Sequence, residues 1–159
     1  MSQLRIAEAP VRRDLAAPAL KAFFNITARW RLGNEQERVL LGSPGRSTFY
    51  RWKRDLSGQL PHDVLERISY VLGIYKALHL VFGNARQADE WIHRVNTAPL
   101  FGGRSALERM LGGQVADLFV VRQYLDAQRG WGRRRRRPPA GCASVRPGGW
   151  CPAASRRSG

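Results

Sequence analysis

Residues 46–54 read Arg-Ser-Thr-Phe-Tyr-Arg-Trp-Lys-Arg, which places four cations, two hydroxyls and a phenol around two apolar side chains. At helical spacing Phe49 and Trp52 fall on one side, and Arg46, Ser47, Thr48, Tyr50, Arg51, Lys53 and Arg54 spread over the remainder. Guanidinium, ammonium and hydroxyl donors on one short helix suit phosphate oxygens and base edges, so this segment is the candidate nucleic-acid reader. The competing reading is a solvated basic helix whose Phe49 and Trp52 merely pack. A second segment, Asn96-Thr97-Ala98-Pro99-Leu100-Phe101-Gly102-Gly103-Arg104, joins two large apolar residues to a glycine pair and an arginine. Apolar side chains on a connection need a partner surface or the protein's own core, and both readings stay open for Leu100 and Phe101. For Arg104 contact is favoured, because its fork of donors matches a carboxylate.

Covalent and metal chemistry find little support. His62, His79 and His93 stand apart, with no nucleophile or paired acid at telling spacing. Cys142 and Cys151 fall outside metal-like spacing. The stretch Gly42-Ser43-Pro44-Gly45-Arg46-Ser47-Thr48 is too short for a phosphate loop and has arginine where lysine is required. No catalytic residue, metal or cofactor is expected, and the chain reads as a binding protein rather than an enzyme.

Charge points to an anionic partner. Over 159 residues the formal charge is +15 and the pI near 11.4, beside an ordinary hydrophobic content of 43%. Residues 131–159 hold eight arginines and no acid, so 19 basic and 12 acidic residues leave +7 on residues 1–130. The arginine run 133–137 could hold nucleic acid by counterion release, although such runs are more often solvated. The N-terminal residues mix charges where a secretory signal needs an uninterrupted apolar stretch. The most apolar segment, 68–82, is shorter than the ~20 residues that span a bilayer, and it contains Lys76 and His79. The expectation is a cytoplasmic protein with no membrane contact.

The elements that must position these segments are helical. Leu20, Phe23, Phe24, Thr27 and Trp30 make one stripe over residues 14–30. Asn34, three residues before Glu37, predicts a capping pair for a helix of about seven residues that stops at Gly42. After the turn 42–45, a helix over 47–54 completes a helix-turn-helix signature. Pro61 suits the first turn of a helix reaching residue 82. Its two stripes, Val64, Leu65, Ile68, Val71, Leu72, Tyr75 and then Tyr70, Ile74, Ala77, Val81, predict a helix that is central or shared with a second subunit. A helix over 85–95 follows. Ser105 with Glu108 predicts a capping box for a helix to residue 111, ended by Gly112 and Gly113, and a last helix covers 115–128. No run alternates with period two, so the fold class is all-α. From Trp131 onward the composition predicts disorder.

Three blocks resemble the Xre/MbcA/ParS-type antitoxins, partners of RES-class toxins: ERVLLGSPGRSTFYRWK at 37–53, LERISYVLGIYKALH at 65–79 and NTAPLFGGRSALERMLGGQVADLFVVRQYLDAQ at 96–128. They occur in the family's order and nearly its spacing, and the likeness covers residues 14–129. The resemblance implies an N-terminal helix-turn-helix for autoregulatory operator DNA binding, over 14–60. It also implies a C-terminal domain, over 61–129, that covers the NAD-consuming active site of a cognate RES-class toxin. The toxin-facing surface is then expected from the loop 96–104 and the last helix, with Asn96, Leu100, Phe101, Gly102, Gly103, Arg104, Arg122 and Tyr124 as contacts. A homodimer is expected from the doubly apolar helix and from two-fold operators. The segment 130–159 departs from the family's pattern and is read as a disordered basic tail. The rival readings are a free-standing helix-turn-helix regulator whose C-terminal half only dimerises, and a nucleic-acid chaperone driven by the tail.

Overall fold

The computed structural model describes residues 9–134, with side chains from 15 to 129. Among the described residues all regular structure is helical, apart from one isolated bridge between Val95 and Ser105. Helix α1 (Ala9–Arg29) turns Ala16, Leu20, Phe23 and Thr27 inward in steps of three and four, and Trp30 just beyond its end continues the row.

Helix α2 (Asn34–Leu40) is capped one residue earlier than expected. Gly33 occupies the cap position, and its N–H donates to Gln36 Oε1 at 3.0 Å. Asn34 is therefore the first helical residue, and Glu37 is drawn inward to other partners instead of reaching back. The C-terminal stop follows the expectation. Gly42, at φ +88°, donates to the Val39 carbonyl while Ser43 donates to that of Arg38, the paired bonds that close a helix around a left-handed residue. Helix α3 (Arg46–Asp55) follows, with Phe49 and Trp52 buried beneath it.

Helix α4 (His62–Val81) is the spine. It packs most extensively on α7 and then on α1 and α5, so both apolar stripes are covered by helices of the same chain, with Val81 left exposed. The helix is central within this chain. Helix α5 (Ala85–Trp91) is capped by Asn84, whose side chain accepts from the N–H groups of Arg86 and Gln87. It stops short of the expected residue 95 because His93 and Arg94 bond back only three residues, to Glu90 and Trp91, before Val95 pairs with Ser105. Helix α6 (Ala106–Met110) has the expected reciprocal cap: Glu108 N–H donates to Ser105 Oγ at 3.1 Å and Ser105 N–H to Glu108 Oε2 at 2.7 Å. Helix α7 (Val115–Arg134) runs past the expected end at 128 and four residues into the stretch read as disordered. An established helix adds residues at low cost, enough here to carry it through Gly130 and Gly132, which are poor helix formers. Cys142, Cys151 and the arginine run lie partly or wholly beyond residue 134, outside the described residues.

One buried carboxylate ties the first three helices. Glu37, 2% exposed, accepts from Thr27 Oγ1 of α1 at 2.8 Å and from Lys53 Nζ of α3. Lys53 Nζ also donates to Asn34 Oδ1 at 2.8 Å and lies 5.5 and 5.9 Å from the ring centres of Phe24 and Phe49. Removing the ammonium strands a buried charge. Lys53→Ala should therefore lower the unfolding free energy by about 1–3 kcal/mol, read by urea titration, and Glu37→Leu combined with Lys53→Met should recover most of that loss. A Lys53→Ala protein as stable as the parent would show that the pair holds nothing together.

Candidate functional site

Two separate surfaces emerge. On α3, Ser47, Tyr50, Arg51 and Arg54 are exposed and follow the i, i+3, i+4, i+7 spacing of one helix face, opposite Phe49 and Trp52. Tyr50 is half exposed, at 49%, and its ring meets that of Phe49 edge-on at 5.3 Å, so the phenol stands on the core and projects from it. Arg46, at the start of the helix, reaches Glu35 at 3.6 Å. Arg54 forks onto Asp55 through Nε and Nη2 at 2.7 and 2.9 Å, and that hydrogen bond holds the Asp55 carboxyl below its ordinary range. Both pairs are solvent-exposed and weakly held, so a phosphate can replace the carboxylate. Thr48 is half-buried at the edge of the face.

Lys53, expected among the DNA contacts, is placed differently from the others: its ammonium turns back onto Glu37 and Asn34 and so braces the helix-turn-helix. Arg38 was missed by sequence reasoning and also braces the motif, since its Nη1 donates to the Pro44 carbonyl in the turn at 3.1 Å. Its position on the short α2, four residues before the glycine stop, was the available signal.

The second surface is the loop between α5 and α6. Here too part of the expected set faces inward. Phe101 is 1% exposed and packs edge-on against Trp91 at 6.0 Å and Tyr124 at 5.1 Å, while Trp91 and Tyr124 stack at 6.2 Å. Of the two readings left open for Phe101, the structure places it in the protein's own core. Leu100 is half-buried beside it. Asn96 is 9% exposed and organises the loop: its Oδ1 accepts from Ala98 N–H at 2.9 Å and its own N–H donates to the Arg104 carbonyl at 3.1 Å. Burial pushes the Tyr124 phenol up, partly offset by Asn96 alongside, and its hydroxyl has no partner at hydrogen-bonding distance.

Gly102 and Gly103 take φ of +55° and +79°, a pair of left-handed residues that turns the chain outward and leaves Arg104 exposed at the tip. Arg122 stands apart from this tip. It pairs with Asp126 at 2.7 Å and lies across Gly73 of α4, where a β-carbon would fall 1.3 Å from its Nη1. The missing side chain of Gly73 leaves room for this guanidinium between α4 and α7. Phe119, 44% exposed on α7 and edge-on to Tyr70, is an outward apolar residue of the same half that spacing alone did not single out. Among the described residues no cluster of three His, Cys, Asp or Glu side chains is placed to hold a metal ion.

Comparison with known proteins divides the chain in the same way. Residues 9–73 match the family described as the antitoxin Xre-like helix-turn-helix domain, and residues 77–130 match the antitoxin Xre/MbcA/ParS C-terminal toxin-binding domain. A curated relative, the uncharacterized protein y4oB of Sinorhizobium fredii, is 54% identical over 111 residues, covering 70% of this chain and 84% of the relative.

Because Phe101 is enclosed, its loss should be felt first as instability. Phe101→Ala is expected to cost about 3–5 kcal/mol in denaturant unfolding. A variant as stable as the parent that fails only in partner binding would instead make Phe101 a contact residue.

Proposed function

The chain belongs to the antitoxin family that joins an Xre-like helix-turn-helix to an Xre/MbcA/ParS toxin-binding domain, and on that premise we propose that it neutralises a RES-class, NAD-consuming toxin and represses its own operon. The observation that carries this reading is the segregation of two exposed, differently built surfaces. One is the cationic and aromatic face of α3, inside the helix-turn-helix match. The other is the Gly102–Gly103–Arg104 tip, inside the toxin-binding match.

On DNA, α3 enters the major groove with Ser47, Tyr50 and Arg51 toward base edges, while Arg46 and Arg54 exchange their carboxylates for phosphates. The protein binds its operator as a two-fold dimer. On the toxin, Arg104 offers a planar fork to a carboxylate at the rim of the active site, and the covering of that site stops NAD consumption. The proposed setting is the cytoplasm, where operon and toxin both reside; no described helix is long and apolar enough to cross a membrane.

The two surfaces should fail independently. Arg51→Ala combined with Arg54→Ala is expected to abolish operator binding in gel-shift titration while protecting cellular NAD against co-expressed toxin as well as the parent does. Arg104→Glu should do the reverse, whereas Arg29→Glu, exposed on α1, serves as the charge-reversal control. NAD that stays constant when the toxin is expressed alone would remove the RES-class assignment, and loss of both activities in either variant would mean one shared surface.

A further inference from the structure

The two family matches meet within α4, and one side chain of that helix touches a turn in each half. Arg67 is 9% exposed. Its Nη2 donates to the Gly113 carbonyl at 3.0 Å, across 46 residues of sequence. The other side of the guanidinium lies against Gly42, where a β-carbon would fall 3.0 Å from Nε and 3.4 Å from Cδ and Cζ. Gly42 ends α2 and opens the turn that sets the start of α3. Gly113 follows α6 and opens the turn into α7. Both sit at φ +88°.

The environment of this cation is unusual. Among the described residues no carboxylate lies within ion-pair distance of it, and its Nε–H is buried without an acceptor. It is held instead by one carbonyl and by the C-terminal ends of α2 and α6, where the partial charge is negative. A buried donor left unsatisfied gives the side chain a reason to adopt a second seat as soon as either turn moves. The covalent path from the loop tip is short: Arg104 adjoins Ser105, the cap of α6, and α6 ends at the turn whose carbonyl Arg67 holds.

We propose that Arg67 is a positioning residue that couples the two surfaces: displacement of the α6–α7 turn by a partner on the C-terminal half is transmitted through its guanidinium to the α2–α3 turn and changes DNA affinity. This rests on the DNA-binding reading above, and adds to it a route between the halves.

The test is a double-mutant cycle on the full chain, with a duplex carrying the region upstream of its own gene as the probe and fluorescence anisotropy as the readout. Gly113→Ala strains the C-terminal turn through its positive φ, and no neighbour obstructs the added methyl. Arg67→Met keeps the length and removes the buried charge, a change that is commonly tolerated. In the parent, Gly113→Ala should weaken DNA binding about fivefold or more, a typical size for coupling between sites. In the Arg67→Met background the same change should alter affinity less than about twofold. Equal effects in both backgrounds, or no effect in the parent, would overturn the coupling.

Hydrogen exchange at the Ser43 amide, which donates to the Arg38 carbonyl at 2.8 Å, reads the same cycle without DNA. Exchange should quicken with Gly113→Ala only when Arg67 is present. Should Gly113→Ala not fold, Arg67→Met and Arg67→Lys, the second of which keeps the charge but not the planar fork, should both speed Ser43 exchange; parent-like exchange in Arg67→Lys would overturn the proposal. A parent chain that binds no duplex would instead sink the DNA-binding reading, while the exchange cycle still decides whether the two turns are linked.

Discussion

The carboxylate of Glu37 is shared between Thr27 and Lys53, so α1, α2 and α3 meet at one buried charge. In an apolar setting that charge has a high cost unless its lone pairs are filled, and here donors from two other helices fill them. The consequence is angular. Helix α2 has seven residues and α3 has ten, lengths at which an isolated helix in water is marginal. Their mutual orientation therefore comes from tertiary contacts: Phe49 and Trp52 give α3 its grip on the core, and the Lys53–Glu37 bond fixes its rotation about its own axis. Rotation is what decides which residues face outward, and with Lys53 committed inward, Ser47, Tyr50, Arg51 and Arg54 present themselves as one row.

Helix α4 extends that constraint to the second half. Because α1, α5 and α7 all pack on α4, the helix-turn-helix and the loop tip are mounted on one spine rather than on two domains joined by a linker. Close approach on this spine is obtained by omission of side chains: Gly73 makes room for the Arg122 guanidinium and Gly42 for that of Arg67. Two long cations are thereby laid along the helix, one against each neighbour.

What could be read in the sequence follows from how local the determining interaction is. The Ser105–Glu108 cap and the Gly42 stop depend on residues three or four apart, and both were legible from spacing. The helical fold class was legible for the same reason. Asn34 and Glu37 have the spacing of a cap too, but Glu37 is claimed by Thr27, ten residues away, and by Lys53, sixteen residues away, so a tertiary charge overrode a local motif. The same competition removed Lys53 from the outward cations. Phe101 was ambiguous because an apolar residue beside two glycines looks alike whether it is a plug or an anchor; only the folded positions of Trp91 and Tyr124 distinguish the two. Helix α5 ended early for a reason outside its own periodicity, the pairing of Val95 with Ser105.

Both surfaces share a feature with a thermodynamic consequence. At the loop tip, Phe101 is locked among aromatics, Asn96 bonds to Ala98 and Arg104, and Arg104 N–H donates to the Phe101 carbonyl at 3.0 Å. On α3, Tyr50 rests on Phe49, which in turn meets Phe24 of α1 at 6.1 Å. In each case the residue that projects is fastened to a buried aromatic close by in the chain, three positions away for Arg104 and one for Tyr50. Ordering a flexible loop or side chain on binding costs about 0.5–1.5 kcal/mol for each immobilised group, and that cost is subtracted from affinity. Here the backbone that carries Arg104 and the ring of Tyr50 are ordered by folding itself, so the loss falls on the guanidinium groups alone. The inward-facing members of the expected sites thus hold in place the backbone and the ring that carry the exposed ones.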